Sequence, residues 1–340
     1  MFKAFFGSKK WAIWAWGGGI LVCLLIEVNV MLTVELVEWR GDFFKMLQDV
    51  SSYNLGDFWT GIGKFTKIAL ELVFLGMFSA YFARIYSFHW REAITFAHVR
   101  RWREVEQDIE GSSQRIQEDF MRFAVIVESL GAQVVKAFLT LISFLPILWA
   151  ASADLNLSWL NSINGLIVRT ADSWQIPFFS VFAEGSMVWL ALFISIGGLV
   201  ISWLVGIKLP ILEYNNQIVE AAFRKELVFA EDNKLSFAQP PTIIGLFTGL
   251  ESNYYRLFRH TAYFDVWIYS FDRVMMITPY LLMAPGLFAG VINLGILIEV
   301  SSAFGQVRAS FSVFTSRWTV ITELRSIFRR IREFERNIGY

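Results

Sequence analysis

The 340-residue chain is 55% hydrophobic and 17% aromatic, and its 30 Lys and Arg balance 30 Asp and Glu. Its mean hydropathy is +0.48. Soluble domains sit at roughly 45–50% apolar, so bulk composition already indicates a membrane protein, and the neutral charge balance gives no basic excess for nucleic acid. The single cysteine, Cys23, excludes an internal disulfide, so thiol usage says nothing about compartment.

The N-terminus carries Lys3, Lys9 and Lys10 and then a long apolar run. It has the outline of a signal peptide, but no small-residue cleavage site follows and the run continues past Cys23 with Glu27 inside it. The sequence therefore predicts a retained first span that starts in the cytoplasm. Apolar stretches near or above the ~20 residues a bilayer needs occur at 11–37, 62–86, 125–151, 187–207, 263–283 and 285–314. Asp265, Asp272 and Arg273 interrupt the fifth, and Glu299, Gln306 and Arg308 the sixth.

The distribution of Lys and Arg orients these spans. The predicted outer loops, 38–61, 152–184 and a tight turn near Pro285, carry Arg40, Lys45 and Arg169. Arg100, Arg101, Arg103, Arg115, Arg122, Arg224, Lys225, Arg256 and Arg259 fall on predicted inner segments, and the C-terminus adds Arg325, Arg329, Arg330, Arg332 and Arg336. This bias predicts six spans with both termini cytoplasmic.

The inner segments are long and helical in pattern. A helix from residue 62 toward 110 would run about 70 Å, well past a bilayer. At Gly111, Ser112 and Ser113 the pattern breaks and restarts, with a Ser expected to cap the new helix. Arg115, Glu118, Asp119 and Arg122 follow at i, i+3, i+4 and i+7 as an ion-pair turn. Residues 208–232 leave the fourth span directly. On a helix at 100° per residue, Glu213, Gln217, Glu220, Arg224 and Glu231 fall within about 40° of one another. This polar stripe, about 27 Å long, faces either plain solvent, a polar partner or a cavity. In the tail, Leu324, Ile327, Phe328, Ile331 and Phe334 form an apolar face expected to pack on a partner or lie on the membrane surface.

Enzyme signatures are missing. GIGKFT at Gly61 lacks the first glycine of a phosphate loop, so no nucleotide site is expected on this sequence. There is no HExxH, Cys cluster or GxSxG, and His89, His98 and His260 are far apart; neither a metal site nor enzymatic activity is expected. What remains is carboxylates in apolar runs: Glu27, Glu38, Glu71, Glu128 and Glu299. An ionised carboxylate at mid-bilayer costs about 2.5–3.5 kcal/mol, so such residues face a bundle interior or a wet cavity. Desolvation favours the neutral carboxyl, which lets such groups load and release protons. Each one alone is equally readable as a helix-end or paired carboxylate; the set reads as a proton path.

The segments IEGSSQRIQEDFMRFA, VGIKLPILEYNNQIVEAAFRKELVFAED, QPPTI, FGQVRASF and ELRSIFRRIREFE resemble the SbmA/BacA peptide transporters of bacterial inner membranes, over a region from about residue 21 to 334. The resemblance implies an all-α, homodimeric fold like the membrane domain of ABC exporters, comprising residues 1–340 as a single transport domain with no nucleotide-binding domain. It further implies proton-driven uptake without a bound cofactor, and a cavity lined by a ladder of glutamates. Cargoes would be antimicrobial peptides, peptide-like antibiotics such as bleomycin, and some modified oligomers. Residue by residue, the ladder maps to Glu27, Glu118, Glu128, Glu213, Glu220, Glu226, Glu231 and Asp232, supported by ion pairs at Arg115, Asp119, Arg122 and Arg224. Members usually carry a further membrane segment ahead of the one that begins here at Trp11, which the resemblance ties to dimer packing and substrate range. Two other readings stay open. One is the membrane subunit of an ABC transporter whose ATPase is a separate chain. The other is a non-transporting membrane protein acting on envelope lipid.

Overall fold

A computed structural model of the chain describes residues 1–105, 109, 111–154, 185–232 and 236–339, leaving aside the side chains of residues 153, 154, 232, 314, 315 and 318. Among these residues every regular element is helical: α1 Phe2–Phe6, α2 Gly19–Gln48, α3 Leu55–Trp102, α4 Ser112–Gln114, α5 Phe120–Asp154, α6 Ser186–Gly206, α7 Leu209–Asp232, α8 Pro240–Phe288, α9 Leu294–Ser316 and α10 Trp318–Asn337. The chain is thus an all-α membrane protein. Four helical stretches are long and apolar enough to cross a bilayer, at Ile13–Gln48, Leu55–Trp102, Ser112–Ser152 and Ser186–Glu231. They cover the first four expected spans. The fifth and sixth stretches are helical too, within α8 and α9, but fall short on the same measure; these are the stretches that Asp265, Asp272 and Arg273, and Glu299 and Arg308, interrupt. The turn expected at Pro285 lies further on. Pro279 and Pro285 are both inside α8, and the chain reverses around Gly290, whose φ of +72° suits glycine.

The described chain divides into two units, Met1–Ser195 with Pro279–Tyr340, and Ile196–Thr278. In the first unit α9 packs on α5 and α2, α2 on α3 and α5, α3 on α5, and α10 on α5. A capping box starts α3: Asn54 Oδ1 accepts from the Gly56 and Asp57 amides at 2.7 and 3.1 Å, and Asp57 Oδ2 accepts from the Asn54 amide at 2.9 Å. From there α3 runs 48 residues, about 72 Å, so it extends well beyond a hydrocarbon core of about 30 Å. Where α2 crosses α9 two glycines allow close approach: a Cβ on Gly295 would sit 2.3 Å from the Gly41 carbonyl oxygen.

One end of the first unit is closed by a dense aromatic core. Phe5, Trp90, Ile94, Phe120 and Phe123 are buried together with Ile327, Ile331 and Phe334 of α10. Phe5 stacks on Trp90 at 5.4 Å and meets Tyr86 edge-on at 5.6 Å. The apolar face read from the tail therefore packs on the chain's own core. Gly111 takes the left-handed conformation (φ +70°) at the start of α4, and no side-chain oxygen caps that helix. The serine cap expected there is replaced by a glycine-enabled turn; Ser112 and Ser113 lie inside the helix.

The second unit joins the end of α6, α7 and the first part of α8. Trp267 Nε1 donates to Ser202 Oγ at 2.9 Å, and Gly198 and Gly206 give room to the rings of Phe271 and Phe264. Phe223 on α7 lies edge-on to Phe247 on α8 at 6.0 Å.

The Gly41–Gly295 crossing leaves no room for a side chain. Gly295→Leu is expected to cost about 1–3 kcal/mol through overpacking. Thermal unfolding of the purified protein in detergent checks this, with Gly290→Leu, strained in φ but with no neighbour within 4 Å, as the contrast for crowding.

Candidate functional site

Glu128 is the carboxylate that the first unit sets most clearly in apolar surroundings. It sits on α5 and is half-buried. It lines a cleft of about 220 Å³ with Val22, Leu25 and Ile26 of α2, Ser79, Ala80 and Ala83 of α3, and Ala132 of α5. Small residues on α3 keep the cleft open: alanine and serine at 79, 80 and 83 leave volume that larger side chains would fill. Among the described residues that line the cleft there is no cation. Glu27 follows the cleft-lining Ile26 on α2 and is half-buried.

The predicted ion-pair turn is present and larger than the sequence suggested. Residues Arg115–Asp119 form a π-helical turn. Arg122 Nη2 meets Glu118 Oε1 at 2.8 Å, and Arg115 Nε lies 3.9 Å from Asp119. α10 completes the network: Arg330 donates twice to Asp119, Nε to Oδ2 at 3.0 Å and Nη2 to Oδ1 at 2.6 Å, while Arg122 Nη1 donates to Glu323 Oε1 at 2.8 Å. Asp119 is 1% exposed, and the hydrogen bonds it accepts from Arg330 raise the guanidinium's pKa above its ordinary value. Glu118 therefore sits among cations, unlike Glu128.

In the second unit Glu213, Arg224 and Glu231 are exposed along α7, and Glu220 and Glu226 are half-buried. Tyr254 Oη of α8 donates to Glu220 Oε1 at 2.9 Å. Glu226 Oε1 accepts from the Ala238 amide at 2.9 Å, which helps hold Ala238 in its left-handed conformation (φ +53°). The Asp232 side chain and residues 155–184, where the sequence predicts most of the outer loop 152–184, lie outside the described residues. Arg115, Glu118, Asp119 and Arg122 thus come together in the first unit; Glu213, Glu220, Arg224, Glu226 and Glu231 share α7 in the second.

Glu299, one of the carboxylates read from the sequence, is on α9 and lies against Gly41 of α2, and Arg40 Nη1 donates to Ser302 Oγ at 3.1 Å. Sequence reading missed other polar groups. Lys136 Nζ donates to Asn29 Oδ1 at 2.9 Å, and Arg317 Nε to Gln133 Oε1 at 2.9 Å. The available signal was Lys136 itself, a lysine in the middle of an apolar run. A second missed feature is a clasp on α10. His98 is fully buried on α3; its Nδ1 faces the Ile94 carbonyl at 2.7 Å and its Nε2 faces Glu335 Oε1 at 2.9 Å. The Met1 amino group also donates to Glu335 Oε1.

Long apolar helices packed around a cleft lined by Glu128, with α3 extending beyond a bilayer's thickness, define an all-α integral membrane protein. The chain belongs to the SbmA/BacA-like family, whose pattern matches residues 8–179 and 173–339. It is 26% identical over 333 residues to the inner membrane ABC transporter ATP-binding protein YddA of Escherichia coli, covering 93% of this chain and 56% of that one. An uncharacterized ABC transporter ATP-binding protein of Haemophilus influenzae is 23% identical over 336 residues, covering 93% and 53%. The chloroplastic ABC transporter D family member 2 of Arabidopsis thaliana is 23% identical over 264 residues, covering 73% and 33%. The chain spans about half the length of the first two, and a third of the last.

Burial alone favours the neutral form of Glu335, but hydrogen bonds from His98 and the Met1 amino group outweigh it and hold the carboxyl below its ordinary value of 4.5. A depressed folded-state value means that the clasp's contribution is complete above that ordinary value and is lost as pH falls through the folded-state value. Thermal stability should drop in this acid range, and Glu335→Gln should flatten the drop. Melting curves of both proteins across the acid range check this.

Proposed function

We propose that this chain is a proton-coupled importer of peptides and peptide-like antibiotics in a bacterial inner membrane. In this reading residues 1–340 act as one transport domain, two copies form the working unit, and both termini are cytoplasmic. The observation that carries it is Glu128: a carboxylate in an apolar cleft between three packed helices, with no cation facing it. Such a group gains or loses a proton without a fixed counter-ion resisting either state, as a coupling residue requires. Membership of a transporter family supplies the setting. The acidic stripe on α7, with Glu213, Glu220 and Glu231, supports attraction of cationic peptide cargo, and Glu27, Glu118, Glu226 and Asp232 complete the proposed coupling and cavity set.

The cycle follows from the charge states. Protonation from the outer side neutralises the carboxylates and lowers the cost of closing apolar helices around them; release of protons to the cytoplasm restores charge and reopens the cavity. The proton gradient is then the energy source, no cofactor is bound, and no covalent chemistry is performed on the cargo. Nucleic acid and nucleotide are not ligands of these residues, while membrane lipid surrounds the helices. A second reading, the membrane half of an ATP-driven transporter, is favoured by one observation: the relatives named above as ATP-binding proteins are about twice as long as this chain.

Proteoliposomes separate the two. Labelled peptide should accumulate when a proton gradient is imposed without ATP, and Glu128→Gln should abolish gradient-driven accumulation while leaving the protein folded. Accumulation that needs ATP and a second polypeptide, or that survives collapse of the gradient, contradicts the proposal.

A further inference from the structure

α5 carries Lys136 inside the apolar run AQVVKAFLTLISF. The residue lies about 16 Å from the inner end of the stretch 125–151 at 1.5 Å per residue, well inside the hydrocarbon thickness. Its side chain is exposed. An ammonium is a compact, strongly hydrated charge, and placing it against lipid at that depth costs about 2.5–3.5 kcal/mol. The face of α5 that bears Lys136 is therefore a wet one.

The partners of Lys136 are unusual for a buried-depth cation. Nζ donates to the neutral amide oxygen of Asn29 on α2, and among the described residues no carboxylate forms an ion pair with it. One turn earlier Gln133 repeats the arrangement: its Oε1 accepts from Arg317 Nε, and its Nε2 donates to Ser129 Oγ at 3.1 Å. Among the described residues Arg317 also forms no ion pair with a carboxylate, and it is exposed. Residues three apart on a helix are neighbours, with Cβ atoms about 5–6 Å apart, so Gln133 and Lys136 bring both cations to one face. A lysine offers three N–H donors and an arginine five; one bond to an amide oxygen leaves most of them free. Two cations held by amides, with donors to spare and no counter-charge, make a receptor for an anion with paired oxygens.

We propose that Lys136 and Arg317, positioned by Asn29 and Gln133, form a carboxylate-binding subsite that takes the C-terminal carboxylate of a peptide cargo. The proposal rests on the peptide-import reading and names a recognition element within it. Lys136 falls on the i, i+4, i+8 stripe that begins with Glu128 and passes Ala132, about 12 Å further along the helix. The anion receptor and the coupling carboxylate would thus lie along one stripe of α5. Cargo recognition and proton loading share a helix without the two charges neutralising each other.

The test compares one fluorescent peptide as its free acid and as its C-terminal amide, in gradient-driven uptake and in direct binding to the purified protein followed by tryptophan fluorescence. The free acid should be favoured on the order of tenfold, as a charge-assisted contact provides. Lys136→Gln should remove that preference by bringing free-acid binding and uptake down toward the level of the amide, and Lys136→Arg should retain it. Equal binding of acid and amide, or equal loss of both in Lys136→Gln, overturns the subsite even where transport is intact. So does a change in co-purifying anionic lipid with the acid preference untouched, because the anion is then a headgroup. Gradient-independent uptake in the unaltered protein would instead sink the import reading, and the binding comparison would still decide the subsite.

Discussion

An ionised group on a membrane helix costs about 2.5–3.5 kcal/mol at the bilayer centre unless water or a counter-charge meets it, and α5 bears two such groups on one stripe, Glu128 and Lys136. Among the described residues neither is paired with an opposite charge: Glu128 lines a cleft of hydrocarbon and small residues, and Lys136 donates to an amide oxygen. In the proposed transport reading, the packing of the first unit gives that stripe access to water. α2, α3 and α9 surround α5, small residues at 79, 80 and 83 hold the cleft open, and the Gly41–Gly295 crossing draws α2 and α9 together.

The same physics runs the other way at the end of the bundle. There charges are paired as tightly as the geometry allows. Asp119 is buried and receives two hydrogen bonds from Arg330, and Glu335 is held by His98. Removing one partner from such a buried pair is far more costly than leaving an exposed pair incomplete. α10 is thereby fastened to α3 and α5 by both an apolar core and ion pairs, a rigid counterpart to the unpaired groups of the stripe.

Much of this was legible in the sequence, for reasons specific to each element. Apolar length gave the first four spans, because hydrocarbon thickness sets a minimum that few other segments meet. The i, i+3, i+4 and i+7 spacing of Arg115, Glu118, Asp119 and Arg122 gave their local pairing. It could not give Arg330 or Glu323, which come from 200 residues away in sequence and are placed only by the docking of α10. The Ser112 cap failed because Gly111, free to take the left-handed conformation, occupies the cap position itself and leaves the serines inside the helix. The turn near Pro285 failed because a proline interrupts a helix only when the freed carbonyl cannot be accommodated, and α8 runs through two. Lys136 was passed over because one charge barely lowers the mean of a long apolar run, although a single charge at that depth is the more informative residue.

Accessibility of the α5 stripe tests the central claim most directly. In a protein whose native Cys23 has been replaced, single cysteines at Ala132 and Lys136 should react with a water-soluble, membrane-impermeant thiol reagent in vesicles, and a cysteine at the exposed Phe138 should not. Reaction at Phe138 with none at Ala132 or Lys136 would put the stripe against lipid and contradict the account.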